Sequence, residues 1–410
     1  MKLSPRIYLL AFGTFTVGTE GYVVAGVLPD VARDLHTSVA AVGQLVTVFA
    51  LAYAILGPPL VGVLHRAWPR KLMLGAALIF AAANLLAALS PSMAVLVVAR
   101  IIAAVGAALF MAPAATTAAL LAPPKHLARA IAVPATGNAV ALTIGAPLGT
   151  VAASVWGWRA AFVLVTVLAV ATALLVLISV PDVDPTPATT VKRADLIRLP
   201  GIRWAFATTF LVFLAAYSAY TYLSPIVKTA TGHGSTTVAL LMVIFGAGGL
   251  TGGRLIGKIL AARPLGRTLI SLLSVMAAAL AAVTGIAATN WTGAAVKIIA
   301  LAITMFVLGL AWWSSGISQQ TRFALLATDH RSTALSLHFS AQFLGVAAAG
   351  ALGGLVISIG TAAAVPLAAT IVALIGLTTV RKLPMAGHST GDDEQSAHGV
   401  AGQGPAGGAR

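Results

Sequence analysis

Twelve long apolar stretches leave this chain few ways to fold. They fall at roughly 7–28, 40–64, 72–89, 93–120, 128–155 and 160–180, then at 202–225, 236–260, 267–288, 293–316, 331–358 and 362–380. Each is close to the about 20 residues a helix needs to cross the hydrocarbon of a bilayer. Inside hydrocarbon every backbone N–H and C=O must be satisfied within a helix or a closed barrel. Runs this continuous lack the alternation of a transmembrane strand, which excludes a barrel. Only 9% of the 410 residues are charged, against roughly a quarter in soluble domains. The expectation is an all-α membrane protein with twelve transmembrane helices. The first stretch follows a basic MKLSPR start, as a signal peptide does, but it runs on to about Leu28 and carries Glu20. It reads as an uncleaved first span.

The spans divide six and six around PDVDPTPATTVKRADLIRLPGIR, a polar, proline-rich segment. The expected organisation is a six-helix bundle over 1–180, a cytoplasmic linker over 181–201, a second bundle over 202–383, and a tail over 384–410. That tail is glycine-rich and polar, and is expected to be disordered. The halves echo each other: the basic gap Gly62–Lys71 between spans 2 and 3 has a counterpart, Gly252–Arg267, between spans 8 and 9. Two pseudo-symmetric bundles joined by a long linker are a common plan for secondary transporters.

Orientation follows from the basic residues. With the N-terminus inside, the inner gaps hold Arg66, Arg70, Lys71, Lys125, Arg254, Lys258, Arg322 and others, while the outer ones hold only Arg33, Arg159 and Lys228. That bias places both termini in the cytoplasm. The net charge of +15 is spread over these gaps, with no basic face for a phosphate backbone, so nucleic acid is excluded as a partner. Zero cysteines exclude disulfides and thiolate metal sites. The glycine-rich Gly246–Lys258 lies inside an apolar span and lacks the Gly-Lys-Ser/Thr ending of a nucleotide loop. No catalytic or metal-ligand spacing is present, so the chain is expected to be no enzyme, to need no cofactor, and to draw on an ion gradient.

Four motifs carry a resemblance to a family. The gap after span 2 matches a Gly, Arg, Arg-Lys pattern through Gly62, Arg66, Arg70 and Lys71, with His65 and Pro69 where the pattern has Asp and Gly. Span 4 pairs Arg100 with Gly106, and span 5 carries Gly137, Gly145, Pro147 and Gly149. Span 1 reads GTEGYVVAGVLPDVARDL. Over about 1–383 the chain resembles the major facilitator superfamily, and within it the drug/proton antiporters of the chloramphenicol-resistance and arabinose-efflux type. The resemblance implies a monomeric fold of two six-helix bundles in the plasma membrane. It also implies a central cavity lined by spans 1 and 4, and proton-driven export of a small molecule. An importer or facilitator of a sugar or another nutrient on the same fold is the alternative. The few Asn, Gln and acidic groups in the spans favour apolar cargo. By themselves, the span-5 glycines and Pro147 read as a tightly packed kinked helix, a conformational hinge, or both. The Gly62–Lys71 cluster reads as a topology signal or a gate.

Two charges lie deep in the spans. Glu20 is roughly 14 Å and Arg100 roughly 12 Å from the outer face at 1.5 Å per residue, so they share a depth. A charge at mid-bilayer costs roughly 2.5–3.5 kcal/mol on insertion scales. The pair is a static ion pair that orders the first bundle, a proton-coupling site, or a purely substrate-binding group. Asp30, beside Arg33, reads as a solvated cap, and Lys297 as a residue that snorkels to the interface. The candidates for substrate contact are Tyr22, Tyr53, Asn84, Asn138, Tyr217 and Tyr220. His338 and Gln342, one turn apart, are candidates for a second polar site. Trp312 and Trp313 read as members of the interfacial aromatic belt.

Overall fold

The computed structural model describes residues 4–64, 68–122, 127–181, 196, 198–289, 293–327 and 330–381. Among them are twelve helical segments long and apolar enough to cross a membrane, and no strand. The first half contains α1 (Pro5–Asp34), α2 (Val39–Leu64), α3 (Pro69–Ala88), α4 (Met93–Leu120), α5 (Leu127–Val140), α6 (Ala146–Trp156) and α7 (Arg159–Ser179). The second contains α8 (Pro200–Thr221), α9 (Leu223–Thr231), α10 (Ser235–Ala262), α11 (Leu265–Ala288), α12 (Ala294–Leu326), α13 (Arg331–Ile359) and α14 (Val365–Arg381). Most of the linker, the whole of the tail, His65 and Arg66 lie outside the described residues.

Two spans are interrupted, and proline explains both. Span 5 is α5 and α6 joined by a π turn at Ala141–Gly145. Pro147 has no N–H for the carbonyl of Thr143 one turn back, so the ladder slips by one residue there. Span 7 breaks at Tyr222, with α9 following. Pro225 likewise leaves the Thr221 carbonyl without its helical donor.

The helix α1 is the pivot of the packing. It touches α2, α4, α5, α6 and α7 in its own half, and α8, α9 and α10 in the other. Elsewhere the halves meet where α2 packs on α13 and α6 on α10. Hydrogen bonds across this seam are made toward the end of the bundle away from the chain termini, called here the far end. Gln44 Nε2 donates to the Gly350 carbonyl at 3.2 Å and Thr47 Oγ1 to the Ala347 carbonyl at 2.9 Å. Tyr222 Oη, freed to turn inward by the break in span 7, also donates to Gly350 at 2.7 Å. Gly43 and Gly353 flank the Tyr222 ring so closely that a Cβ on either would overlap it. At the far surface Arg159 pairs with Asp34, which also accepts from Trp158 Nε1, and Arg159 Nη2 donates to the Ser90 carbonyl at 3.0 Å. The far end is closed.

Candidate functional site

The ion pair and its aromatic neighbours

Glu20 on α1 and Arg100 on α4 form an ion pair at the centre of the protein, 0% and 1% exposed. Their equal depth follows from helix rise, but contact also requires both helices to turn the right face inward, and they do. Phe49 of α2 lies under the guanidinium, its ring centre 4.5 Å from Arg100 Cζ. The cation thus has a carboxylate on one side and a π face on another.

Beside this pair stands a cluster of rings drawn from both halves. Tyr22 of α1 faces Tyr217 and Tyr220 of α8, with ring centres 6.2 and 5.9 Å away. Asn138 of α5 donates to Tyr22 Oη at 3.3 Å. Tyr217 is near enough to Arg100 to interact with its charge. Trp312 of α12 and Phe245 of α10 complete the cluster: Trp312 is 5.5 Å from Tyr217, and Phe245 is 5.4 Å from Trp312 and 5.1 Å from Tyr220. The hydroxyl of Tyr220 and the indole N–H of Trp312 are buried without a hydrogen-bond partner. The site therefore offers aromatic faces, two unspent donors and one buried carboxylate–guanidinium pair.

The structure brings Glu20, Arg100, Tyr22, Asn138, Tyr217 and Tyr220 into this one region. Tyr53 stands at its margin, stacked on Phe343 of α13 at 3.8 Å and 6.4 Å from Phe49. Asn84 does not join it; its amide donates to the Phe80 carbonyl one turn back on α3. His338 and Gln342 do not make a polar pair. His338 is buried among Phe213, Phe323 and Phe339, and neither ring nitrogen has a partner.

Corrections and the close approach of span 5

Three sequence-based expectations are corrected. Trp312 is 2% exposed in the central cluster rather than in an interfacial belt, because α12 continues to Leu326 and places it inward. Lys297 does not snorkel; it is buried and donates to the Ala230 carbonyl at 3.0 Å, capping the last turn of α9. Arg322 is no loop residue. The same extension of α12 buries it within the second half. Phe49, Phe245 and Trp312 were not legible as site residues, since an apolar ring reads alike whether it faces lipid or cavity.

The span-5 glycines have a steric reason. A Cβ at Gly137 would strike Ala11 and Thr14, one at Gly145 would strike Thr19, and one at Gly149 would strike Val23. All four struck residues belong to α1, so glycine brings α5 and α6 against the helix that carries Glu20. The π turn that begins span 5's second part lies in the same stretch. In the basic gap, Arg70 Nη2 donates to the Leu177 carbonyl at 2.6 Å, tying α3 to the end of α7. Lys71 is exposed, and Gly62 lies within α2. A separate apolar groove of about 520 Å³ opens between α2, α8 and α13, lined by Thr47, Phe206, Phe210 and Leu344 among others. It includes none of the candidate residues.

Comparison with known proteins

The sequence model of the Major Facilitator Superfamily matches residues 10–329. A chloramphenicol resistance protein of Streptomyces lividans is 37% identical over 264 residues, covering 63% of this chain and 67% of that protein. Among solved structures, a mutant of the nucleoside transporter NupG superimposes with a TM-score of 0.76 at 13% identity, covering 93% of this chain and 99% of that one. A bacterial homologue of the human lysosomal transporter Spinster, inward-facing and occupied, superimposes with a TM-score of 0.69 at 17% identity, covering 91% and 95%. At these identities the structural likenesses show the fold alone.

Proposed function

This chain belongs to the major facilitator superfamily, and on that premise we propose that it is a proton-coupled exporter of small amphipathic compounds of the chloramphenicol type. It is a multi-pass transporter of the cell membrane rather than an enzyme. The 37% identity to a chloramphenicol resistance protein supports export of a drug-like compound. The observation that carries the coupling is the Glu20–Arg100 pair, buried beside rings from both halves.

The cycle follows from the charges. An ionised Glu20 in this site needs a cation or water, and Arg100 supplies the cation. A guanidinium does not deprotonate in a protein, so the exchangeable proton belongs to Glu20. Proton uptake by Glu20 neutralises the carboxylate and releases its hold on Arg100. The guanidinium then relaxes toward Phe49 and Tyr217. Cargo that stacks on Tyr22, Tyr217 and Trp312 and accepts from the free Tyr220 hydroxyl competes for that rearranged site. Proton and cargo thus stabilise different arrangements of one charge pair, as antiport requires. With the termini cytoplasmic, far-end closure seals the site from the outer side, and cargo is loaded from the cytoplasmic side. Rocking about α1 then exposes the site to the other side, and the close glycine contacts of span 5 with α1 provide the sliding surface.

The experiment uses everted vesicles under an imposed proton gradient, with chloramphenicol as the probe. Wild type is expected to release protons on addition of the drug, and Glu20→Gln is expected to abolish that release while retaining drug binding. Undiminished proton release in Glu20→Gln would refute the coupling role. A susceptibility panel in a host lacking its own pumps tests the cargo class, and an unchanged profile for chloramphenicol and similar amphipathic drugs would refute it.

A further inference from the structure

The protein contains a second buried guanidinium, and among the described residues no acid pairs with it. Arg322 of α12 is 3% exposed. Among the described residues it makes no ion pair; its hydrogen bonds run from Nη1 to Thr208 Oγ1 at 3.3 Å and to Gln319 Oε1 at 3.4 Å. Between Asp195 and Asp392 the sequence holds a single acidic residue, Asp329, so the second half offers almost nothing to neutralise it. Arg100 marks the contrast, since it is equally buried but has Glu20 against it.

The unspent atoms share one chemistry. Arg322 Nε and Nη2 are buried without partners, and so is Gln319 Nε2. Nε–H and Nη2–H point side by side along one edge of the guanidinium, the fork that matches the two oxygens of a carboxylate. Gln319, three residues earlier on the same helix, lies on the same face and adds an amide donor. Thr208 is already engaged, donating to the Trp204 carbonyl at 2.8 Å and lying 2.8 Å from Thr379 Oγ1. The cluster is therefore rich in donors, poor in acceptors and positively charged. Such a set is satisfied by an anion and by no cation.

We infer that Arg322, with Gln319 and Thr208, forms a binding site for a monovalent anion, either the carboxylate of a small organic acid or chloride. The site is separate from the Glu20–Arg100 pair. Arg322 lies four residues from the end of α12, about 6 Å along its axis, whereas Glu20 and Arg100 lie deep in their spans. It lies toward the terminal end of the second half. The anion neutralises a charge that the fold otherwise leaves bare, so its occupancy stabilises that half. The inference does not depend on the proposed transport reaction.

Full-length protein purified in detergent tests it. Thermal unfolding is followed by tryptophan fluorescence while acetate, benzoate or chloride replaces a bulky sulfonate at constant ionic strength. A ligand that binds only the folded state raises the midpoint along a saturable curve. The expected result is saturation by at least one of these anions, with the half-saturating concentration raised at least tenfold in Arg322→Gln. Gln319→Leu, which keeps the charge, is expected to raise it several-fold and stands in if Arg322→Gln does not fold. Arg322→Lys distinguishes the sources. It keeps the charge but loses the fork, so it retains the response to chloride and loses most of the response to a carboxylate. No saturable response to any of the three, or the same response in Arg322→Gln and Gln319→Leu, overturns the site.

Discussion

Replacing Arg100 by Met would strip the counter-charge from Glu20 while keeping the length of the side chain. Glu20 is 0% exposed, so no water replaces the lost guanidinium. Two outcomes compete. Leaving the carboxylate ionised and unpaired costs about 3–5 kcal/mol, the usual penalty for breaking a buried pair from one side. Taking up a proton instead costs about 1.4 kcal/mol for each pH unit above the ordinary carboxyl value of about 4.3, hence about 3.7 kcal/mol at pH 7. The cheaper route prevails. At pH 5.5 the proton costs only about 1.6 kcal/mol, so the variant folds with Glu20 neutral; toward pH 8 the two costs converge. The folded variant holds a proton that the unfolded chain has released, so its stability falls as pH rises.

The assay is thermal unfolding in detergent from pH 5.5 to 8, comparing wild type, Arg100→Met, Glu20→Gln and the double variant. Arg100→Met is expected to lose stability with rising pH at about 1.4 kcal/mol per unit until the unpaired-charge limit is met. Glu20→Gln leaves an always-charged guanidinium buried and is expected to be destabilised by a similar amount with no such slope. The double variant removes both charges and is expected to be flat with pH and more stable than Arg100→Met at pH 8. A flat profile for Arg100→Met, or a slope that survives in the double variant, would refute the reasoning.

The remaining predictions concern packing and closure. Gly145→Val and Gly149→Val push side chains into Thr19 and Val23; each is expected to cost about 1–3 kcal/mol by overpacking, read as a lowered unfolding midpoint, and to slow transport. Tyr222→Phe removes the bond to Gly350, which weakens far-end closure. With no cysteine in the native sequence, a single cysteine placed at Thr47 is expected to react faster with a membrane-impermeant thiol reagent in that background. Asp34→Asn breaks the pair with Arg159, whose side chains are 40% and 46% exposed; surface pairs contribute about 0–1 kcal/mol, so the unfolding midpoint is expected to move little.

The class of the protein was legible because lipid imposes simple demands. Twelve apolar runs of sufficient length have few alternatives, and the twelve spans appear among the described residues. The kink at Pro147 was legible because a missing N–H is a local property, whereas the break before Pro225 was not, since Pro29 and Pro113 sit within unbroken α1 and α4. Glu20 and Arg100 stood out because a charge in hydrocarbon is expensive, and helix rise alone gave their common depth. Rise gives no rotation, however. Tyr22 reaches Tyr217 and Tyr220, whereas Asn84 turns back to its own helix. That difference rests on which way each helix faces, and apolar residues mark lipid and interior alike.

Arg322 and Trp312 show the same limit from the other side. Counting basic residues near span ends assigned Arg322 to a gap, and aromatic position assigned Trp312 to the interface. Both were read against a span end expected at about residue 316, and depth from a boundary that the sequence places only approximately cannot separate a surface residue from a buried one. The structure carries α12 on to Leu326, turning Arg322 into a buried cation with no ion pair among the described residues and Trp312 into part of the central cluster. The sequence by itself therefore determined the membrane class, the number of spans, and the common depth of Glu20 and Arg100, because these depend on composition along one axis. Tertiary packing alone decided which of those residues meet, because contact also depends on helix rotation and on how closely glycine lets neighbouring helices approach.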